Sequence, residues 1–239
     1  KHLYKDFGVR EFFIFDDTFV ANKARAMKIC EEIIKSGLDI SWSCNAKVTY
    51  LTEDLLTLMK RSGCWLLQVG VESGNQQILN TMKKGITLEQ VRAACESAYR
   101  LGFHIKTFFI IGNAGETVQT LDDTIRFMVS LPAHYSSINL MTPLPGTELW
   151  DTVEKYGSFD KEKIEEINYL SDKPTFIPHG LDEKILLKKF REAYLKFYLN
   201  PRTIWRNLKA LNNLEDLHRF TKASFLLSRL LISKIAAAS

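Results

Sequence analysis

The sequence predicts an α/β protein built as an incomplete parallel (β/α) barrel with a C-terminal helical extension. Five apolar, strand-like segments each end on small or polar residues, and an amphipathic helical pattern follows each of them. The last apolar residues of these strands are spaced by 29, 27, 40 and 30 residues. A strand and its return helix take about 30 residues, so the pattern is a repeated βα unit. The segments are 11–17, 40–46, 66–74, 107–117 and 137–147.

Each predicted element has a local signal. Gly8 ends a short helical segment at the start of the chain, because glycine readily adopts the left-handed conformation that terminates helices. Thr52 stands where an N-cap is needed before the helix that follows the second strand. The third strand, 65–71, is almost wholly apolar, which predicts cover on both of its faces. The predicted helices of the repeat are 22–36, 52–62, 76–82, 87–101 and 117–131.

The strands are predicted to carry the core. Eight of their side chains are expected to be largely buried, namely Phe13, Phe15, Leu67, Val69, Phe109, Ile111, Ile138 and Leu140. After a short helix, residues 157–181 have a mixed pattern that predicts loops, and helical patterns return at 182–199, 201–211 and 214–235. We therefore divide the chain into a partial barrel, 1–156, and a loop and helical extension, 157–239.

Composition limits the functional classes. With 46% hydrophobic and 25% charged residues, the 239-residue chain has the composition of a globular protein. No apolar run approaches the roughly 18 residues of a candidate membrane span. The net charge of +4 is uneven, because residues 182–239 hold 12 Lys and Arg against 5 Asp and Glu. This basic extension predicts either helices packed on the barrel or contact with a membrane surface. No nucleic-acid partner is expected, because no binding motif accompanies the charge.

The thiols and imidazoles do not form a recognisable metal site. Cys30, Cys44, Cys64 and Cys95 lack the close spacing of cysteine ligands, and the five histidines are equally scattered. We therefore expect buried, reduced cysteines in a cytoplasmic protein, peripheral to the membrane if the basic helices contact it, and no metal ligands within this chain.

Polar residues collect where the strands end, which is the edge at which parallel βα folds hold their ligands. After the first strand, Asp16 and Asp17 point to opposite faces, so only one of them can reach the barrel interior, and loop capping is the alternative. Glu72 follows the third strand and could bind the hydroxyls of a ribose or simply start a helix. Ser73 and Gly74 complete this turn.

Two later strand ends have features of a ligand-binding turn. Gly112 and Gly115 stand in a strand-to-helix turn that ends at Glu116, and glycines at this spacing let the backbone approach a flat ring such as adenine. The turn lacks the three-glycine pattern of dinucleotide-binding proteins. After the fifth strand, 142–147 is a proline-fixed loop whose backbone could contact a base edge or form a simple tight turn.

The order of these segments is more specific than any one of them. The series FFIFDDTF, ISWSCNAKV, LLQVGVESGNQQILNTMKKGITLEQV, FFIIGNAGET and INLMTPLPGTELW resembles the radical S-adenosylmethionine (radical SAM) enzymes. It is most similar to the branch that commonly carries an N-terminal cobalamin-binding domain. The resemblance runs from Phe12 to Trp150, and FREAYLKFYLNPRTIWRNLKAL also resembles that branch. It implies an enzyme that cleaves SAM at a [4Fe–4S] cluster to a 5′-deoxyadenosyl radical, for methyl transfer or cyclisation of an unknown small or lipid-like substrate.

The resemblance also implies roles for individual residues. Lys84, or its neighbour Lys83, would meet the methionine carboxylate of SAM, and Glu72 and Ser73 would lie at the ribose. The residues near the methionine end would be Ser43 and Asn45. The adenine would be lined by Gly112, Gly115, Glu116, Met141 and Pro143. The resemblance assigns no catalytic residue.

The chain departs from this family in two places. The family's three cluster-binding cysteines have a C-x3-C-x2-C spacing, which the four cysteines here do not match, so the cluster ligands are not in this chain. The family's Gly-Leu-Pro-Gly in the fourth strand is replaced by Gly-Asn-Ala-Gly, 112–115. We therefore expect a distal part of a radical SAM barrel that lacks the first βα unit, begins before the barrel's second strand and is inactive by itself. Cobalamin, if used, would be bound by a domain outside the chain.

Two other functions remain open at this point. One is a cluster-less protein that binds SAM or another nucleoside. The other is an ordinary βα-barrel enzyme in which Asp16 or Glu72 acts as general base, although no partnered acid or histidine accompanies these carboxylates.

Overall fold

The computed structural model describes residues 1–159 and 174–211. Its centre is a five-stranded sheet in the order β1-β2-β3-β4-β5. All four neighbouring pairs are parallel, which confirms the predicted parallel βα arrangement. The strands are β1, Glu11–Ile14; β2, Ser41–Ala46; β3, Cys64–Glu72; β4, His104–Ile111; and β5, Tyr135–Leu140.

The helices lie between the strands as the sequence predicts. Because the strand order follows the chain and βα crossovers are right-handed, the connecting helices lie on one face of the sheet, as in a barrel. The helices are α1, His2–Phe7; α2, Lys23–Ser36; α3, Glu53–Arg61; α4, Gln76–Thr81; α5, Leu88–Arg100; α6, Val118–Ser130; α7, Glu148–Tyr156; α8, Glu183–Tyr198; and α9, Pro201–Lys209. The described residues fall into two units, and α9 belongs to the second, which begins at Pro201.

The two faces of the sheet differ in burial. Residues of β4 alternate strictly between buried and half-buried along the strand. The buried, helix-covered side is the outer face, and the opposite side is called the inner face below. Predicted burial is confirmed on the outer face for Leu67, Val69, Phe109, Ile111 and Ile138, all at most 2% exposed, whereas Leu140 is half-buried against the core.

The predicted burial of Phe13 and Phe15 is wrong. Phe13 is 44% exposed and Phe15 is 88% exposed, with their rings 5.7 Å apart in an edge-to-face arrangement. Phe13 pairs with Ser43 on the inner face of β1, which is an edge strand of this sheet. An apolar run alone does not reveal that only one face of a strand is covered. For the same reason β3 alternates rather than being buried on both faces.

Four further predictions are corrected or untested. Thr52 occupies the N-cap position of α3, but its side chain makes no capping hydrogen bond. The segment 157–181 is not only loop, because β6, Gly157–Phe159, pairs antiparallel with β7, Phe176–Pro178. The predicted helix at 214–235 lies outside the described residues. The predicted division after residue 156 stays a prediction.

Helix α8 closes the free edge of β5 with two tyrosine hydroxyls. Tyr194 Oη donates to the carbonyl of Ile138 at 3.0 Å and accepts from the Ile138 amide at 3.3 Å. Tyr198 Oη donates to the carbonyl of Ser136 at 2.8 Å and accepts from its amide at 3.2 Å. Four helix residues rise about 6.0 Å and two strand residues about 6.6 Å, so the two spacings match. The hydroxyls thus replace the backbone partners that a sixth strand would supply.

Within the described ranges, no helix is long and apolar enough to cross a membrane.

Candidate functional site

A cavity of about 330 Å³ opens at the carboxyl ends of β2, β3 and β4. We call it the central cavity. Several of its side chains come from the inner face, because strand partners in a parallel sheet point to the same side. Its lining residues are Asp17, Thr18, Asn45, Ala46, Lys47, Gln68, Gly70, Glu72, Lys84 and Phe108.

An ion pair between Glu72 and Lys84 lies in the wall of the central cavity. Lys84 Nζ is 2.8 Å from Glu72 Oε1, and the two side chains are 28% and 16% exposed for Lys84 and Glu72. Glu72 has a φ of 71°, a left-handed conformation that costs a residue with a side chain about 1–2 kcal/mol. A Cβ at Gly70 would lie 2.5 Å from Glu72 Oε1, so glycine leaves room for the pair. Backbone strain of this kind is concentrated at functional sites.

The first two strand ends supply the other polar groups of the central cavity. Asp16 caps its own loop, because its carboxylate accepts from the Thr18 amide at 3.0 Å and from Arg25 Nη2 at 2.8 Å. Asp17 lines the cavity instead, so the two carboxylates divide as the strand alternation predicts. Asn45 also lines the cavity, whereas Ser43 is 6% exposed and lies outside its lining.

Ser73 and Gly74 fix the turn after β3 against helix α6. The Ser73 hydroxyl is wholly buried and lies 3.0 Å from Thr124 Oγ1, which also accepts from the Gly74 amide. A Cβ at Gly74 would approach the Phe127 Cβ and the Thr124 Cα to 2.6 Å, so only glycine fits. In this structure Ser73 therefore positions Glu72 rather than lining the central cavity.

A second cavity, of about 240 Å³, lies beside the segment that follows α4. We call it the side cavity. Lys83 lines it and Lys84 lines the central cavity, so the segment after α4 contributes to both. Lys83 Nζ lies 2.6 Å from Glu148 Oε2, which separates the roles of the two neighbouring lysines. The lining residues are Thr81, Met82, Lys83, Asn113, Ala114, Met141, Thr147, Glu148, Leu149, Thr152 and Tyr156.

The turn after β4 is held by a buried carboxylate. Glu116 is 1% exposed, and its Oε2 accepts from the amides of Gly112 at 2.6 Å and Asn113 at 2.9 Å. Gly112 and Gly115 have φ values of 88° and 80°, which side-chain-bearing residues rarely adopt. Glu116 thus fixes the conformation of the turn through its backbone amides.

The side cavity contains an acceptor that lacks a donor. Asn113 is fully buried, its Nδ2 donates to the Ile110 carbonyl at 2.9 Å, and its Oδ1 has no hydrogen-bond partner among the described residues. Glu116 Oε1 is buried and unpaired in the same turn. Met141 lines this cavity, whereas Pro143 is buried outside the lining of both cavities. An unpaired buried acceptor beside a cavity fits a ligand that donates a hydrogen bond.

Burial makes Glu116 a source of pH-dependent stability. Desolvation raises the pKa of Glu116 from its ordinary 4.5 to about 7, against the lowering effect of the Asn113 and Gly112 amides. The folded chain therefore holds a proton that the unfolded chain releases, and the unfolding free energy should fall by about 3 kcal/mol as pH rises from 4.5 to 7. Urea unfolding across this range should show that loss in the parent and a flatter profile in Glu116→Gln. Identical profiles would contradict the assignment. Glu31→Gln, at an exposed position of α2, is the control.

The cysteines do not form a cluster-binding set. All four are buried, in different elements of the fold. Burial raises the pKa of Cys30 and Cys64, and that of Cys95 to about 12, which opposes the thiolate form that iron requires. Across residues 1–159 and 174–211, no group of three or more His, Cys, Asp and Glu side chains could hold a metal ion. The residues present do not fit an iron–sulfur cluster.

Several lining residues of the central cavity were not singled out from the sequence. Gln68 and Gly70 precede Glu72 at intervals of two, so strand alternation could have placed all three on one face. Phe108 and Lys47 had no such signal, because their places depend on pairing between strands and on the turn after β2.

Comparisons with known proteins place the chain among radical SAM proteins. The sequence profile of the radical SAM superfamily matches residues 1–128. An uncharacterised methyltransferase of Pyrococcus horikoshii is 34% identical, over 86% of this chain and 44% of that protein. The anaerobic magnesium-protoporphyrin IX monomethyl ester cyclase of Rubrivivax gelatinosus is 28% identical, over 83% of this chain and 35% of that protein. The chain spans less than half the length of these curated relatives.

Solved structures share the fold. TsrM from Kitasatospora setae, a radical S-adenosylmethionine methyltransferase solved with cobalamin and a [4Fe–4S] cluster, matches with a TM-score of 0.55 and 19% identity, over 59% of this chain and 27% of that chain. Coproporphyrinogen III oxidase from Escherichia coli matches with a TM-score of 0.53 and 17% identity, over 73% of this chain and 37% of that chain. At these identities the likeness concerns the fold alone.

Proposed function

The chain belongs to the radical SAM superfamily, and from this premise we propose that its central and side cavities bind SAM within an enzyme of that superfamily. When bound, SAM would supply a methyl group or, after one-electron reduction by an external electron donor, a 5′-deoxyadenosyl radical that abstracts hydrogen from a substrate. The observation that carries the proposal is the strained Glu72, paired with Lys84 at the carboxyl edge of the sheet. The unpaired Oδ1 of Asn113 beside the side cavity supports it.

The residues of the two cavities would share the parts of SAM. Glu72 would accept hydrogen bonds from the ribose hydroxyls, as a carboxylate after a parallel strand does in dinucleotide folds. Lys84, with Lys47 as a second ammonium in the same cavity, would hold the methionine carboxylate. Asn113 Oδ1 would accept from the adenine amino group, with Met141 against the ring. Their joint effect is to orient SAM in the barrel mouth.

The chemistry of the whole protein is a proposal that rests on its relatives. Two are named as a methyltransferase and a cyclase, so we propose methyl transfer or cyclisation. The substrate would be a small molecule, as is the tryptophan in a similar TsrM structure. Cobalamin is proposed as a further cofactor, because the similar TsrM structure holds it. No residue of this chain is assigned to cobalamin, and no step is assigned to an iron–sulfur cluster.

Calorimetric titration of the purified chain with SAM tests the binding proposal. We expect saturable binding of one SAM per chain. Methionine alone should bind far more weakly, because it lacks the ribose and adenine that the two cavities would hold. Absence of SAM binding under reducing, anaerobic conditions would contradict the proposal.

We also propose that the protein, taken as cytoplasmic, contacts membrane surfaces reversibly through α9. Three apolar side chains of this helix are exposed, Ile204 at 37%, Trp205 at 60% and Leu208 at 42%. The helix also carries Arg202, Arg206 and Lys209. Exposed apolar groups with basic neighbours suit an anionic lipid interface.

Co-sedimentation with phosphatidylglycerol vesicles tests this contact. The parent chain should sediment with them and not with phosphatidylcholine vesicles, and Trp205→Gln should reduce the bound fraction severalfold. Val118→Gln, at another apolar residue that is 42% exposed, is the control. Equal sedimentation of the parent with and without vesicles would remove the membrane contact.

A further inference from the structure

A continuous row of side chains crosses the inner face from the central cavity to β5. Asn45 pairs with Gln68, Gln68 with Lys106, and Lys106 with Tyr135 across four neighbouring strands. Partners in a parallel sheet point to the same side, and Asn45 and Gln68 line the central cavity. Lys106 therefore belongs to the inner face, toward which that cavity opens.

Lys106 is half-buried on this face and has no counter-charge among the residues that the structure describes. Its ammonium makes no ion pair or hydrogen bond with the described residues, whereas Lys83, Lys84 and Lys189 each have a carboxylate partner. Lys106 Nζ lies over the ring of Phe108, 4.9 Å from its centroid. Phe108 lines the central cavity, so the ammonium lies against the cavity wall. A partly desolvated ammonium without a counter-charge is unfavourable, which favours binding of an anion beside Lys106.

The backbone of Lys106 lies deeper in the sheet than that of Glu72, the partner of Lys84. Glu72, the partner of Lys84, pairs with Phe109, and Lys106 precedes Phe109 by three residues on β4. Three strand residues span about 10 Å. Lys106 therefore extends from the interior of the barrel, whereas the ion pair of Glu72 and Lys84 lies at the carboxyl edge of the sheet.

We propose that Lys106 and the Gln68 amide bind an oxyanion of the enzyme's substrate, a carboxylate or a phosphonate, with the ring of Phe108 packed against the group that carries it. This inference rests on the proposed function, since it assigns SAM to the barrel mouth and the substrate to the interior. It makes Lys106 a specificity-determining residue. It also predicts that neutral analogues of the substrate bind poorly.

The test uses two simple oxyanions that carry an aromatic ring. The ¹⁵N-labelled chain is titrated with benzoate and with phenylphosphonate, and benzyl alcohol serves as the neutral analogue. We expect the side-chain amide signals of Asn45 and Gln68 to shift with the oxyanions and not with benzyl alcohol. The stronger of the two oxyanion responses tells which group the site prefers. Equal shifts from the neutral analogue would overturn the proposal.

Variants separate this site from SAM binding. Lys106→Gln should weaken oxyanion binding at least tenfold, Lys106→Arg should retain most of it, and the exposed Lys28→Gln should leave it unchanged. Lys106→Gln should fold normally, because it removes an uncompensated charge, and should bind SAM as the parent does. Unchanged oxyanion binding in Lys106→Gln overturns the inference. If the parent chain does not bind SAM but still responds to the oxyanions, the proposed function is wrong and the inference about Lys106 is not.

Discussion

Replacing Glu72 by glycine should weaken SAM binding about 10- to 100-fold while changing the stability of the chain by no more than about 1 kcal/mol. A hydrogen bond to a charged group is worth about 1.5–3 kcal/mol, and the carboxylate is the group proposed to hold the ribose. Glycine relieves the cost of the left-handed backbone, about 1–2 kcal/mol, and this gain offsets the lost ion pair with Lys84 and the greater freedom of glycine when unfolded. Glu72→Gly thereby separates the effect on SAM affinity from the effect on folding stability.

Calorimetry with SAM and urea unfolding measure the two effects. Lys83→Gly controls for the relief of strain, because Lys83 is also a non-glycine residue with positive φ, 53°. Lys83 lines the side cavity and pairs with Glu148, but no hydrogen bond to SAM is assigned to it, so Lys83→Gly should weaken SAM binding less than Glu72→Gly does. If Lys83→Gly weakens SAM as much as Glu72→Gly does, or if Glu72→Gly binds as tightly as the parent, the ribose role of Glu72 is wrong.

Removing the hydroxyls of Tyr194 and Tyr198 together should destabilise the chain by about 4 kcal/mol, a large part of the 5–15 kcal/mol that stabilises a typical domain. Each hydroxyl satisfies one amide and one carbonyl on the free edge of β5. Phenylalanine keeps the packing of α8 and leaves these backbone groups unpaired, which costs about 1–3 kcal/mol at each tyrosine.

Urea unfolding of Tyr194→Phe, Tyr198→Phe and the double variant measures this effect. Tyr50→Phe, at a tyrosine that is 40% exposed, should change the unfolding free energy by less than about 0.5 kcal/mol. A double variant as stable as the parent would mean that water replaces the hydroxyls without loss. The role of α8 in closing the sheet would then be wrong.

The elements of the fold could be read from the sequence because their signals are local. Apolar runs spaced by one βα unit gave the five strands within a few residues, and Gly8 ends its helix as expected. The order of the strand ends identified the superfamily. It also led to Asn45, Glu72 and Lys84, which do line the central cavity, and their roles toward SAM stay predictions.

Tertiary structure decided how side chains from different strands meet. Whether a strand is covered on one face or two depends on its neighbours, which is why Phe13 and Phe15 are exposed despite their apolar run. The turn of Ser73 toward Thr124 likewise depends on where α6 packs.

The sequence by itself therefore determined which elements form, in what order, and which superfamily they belong to. Only the tertiary structure decided that Gln68 and Lys106 lie side by side on the inner face and that two tyrosines of α8 complete β5. The physical reason is that hydrophobic period and turn chemistry act over a few neighbouring residues, whereas strand register joins positions that lie tens of residues apart.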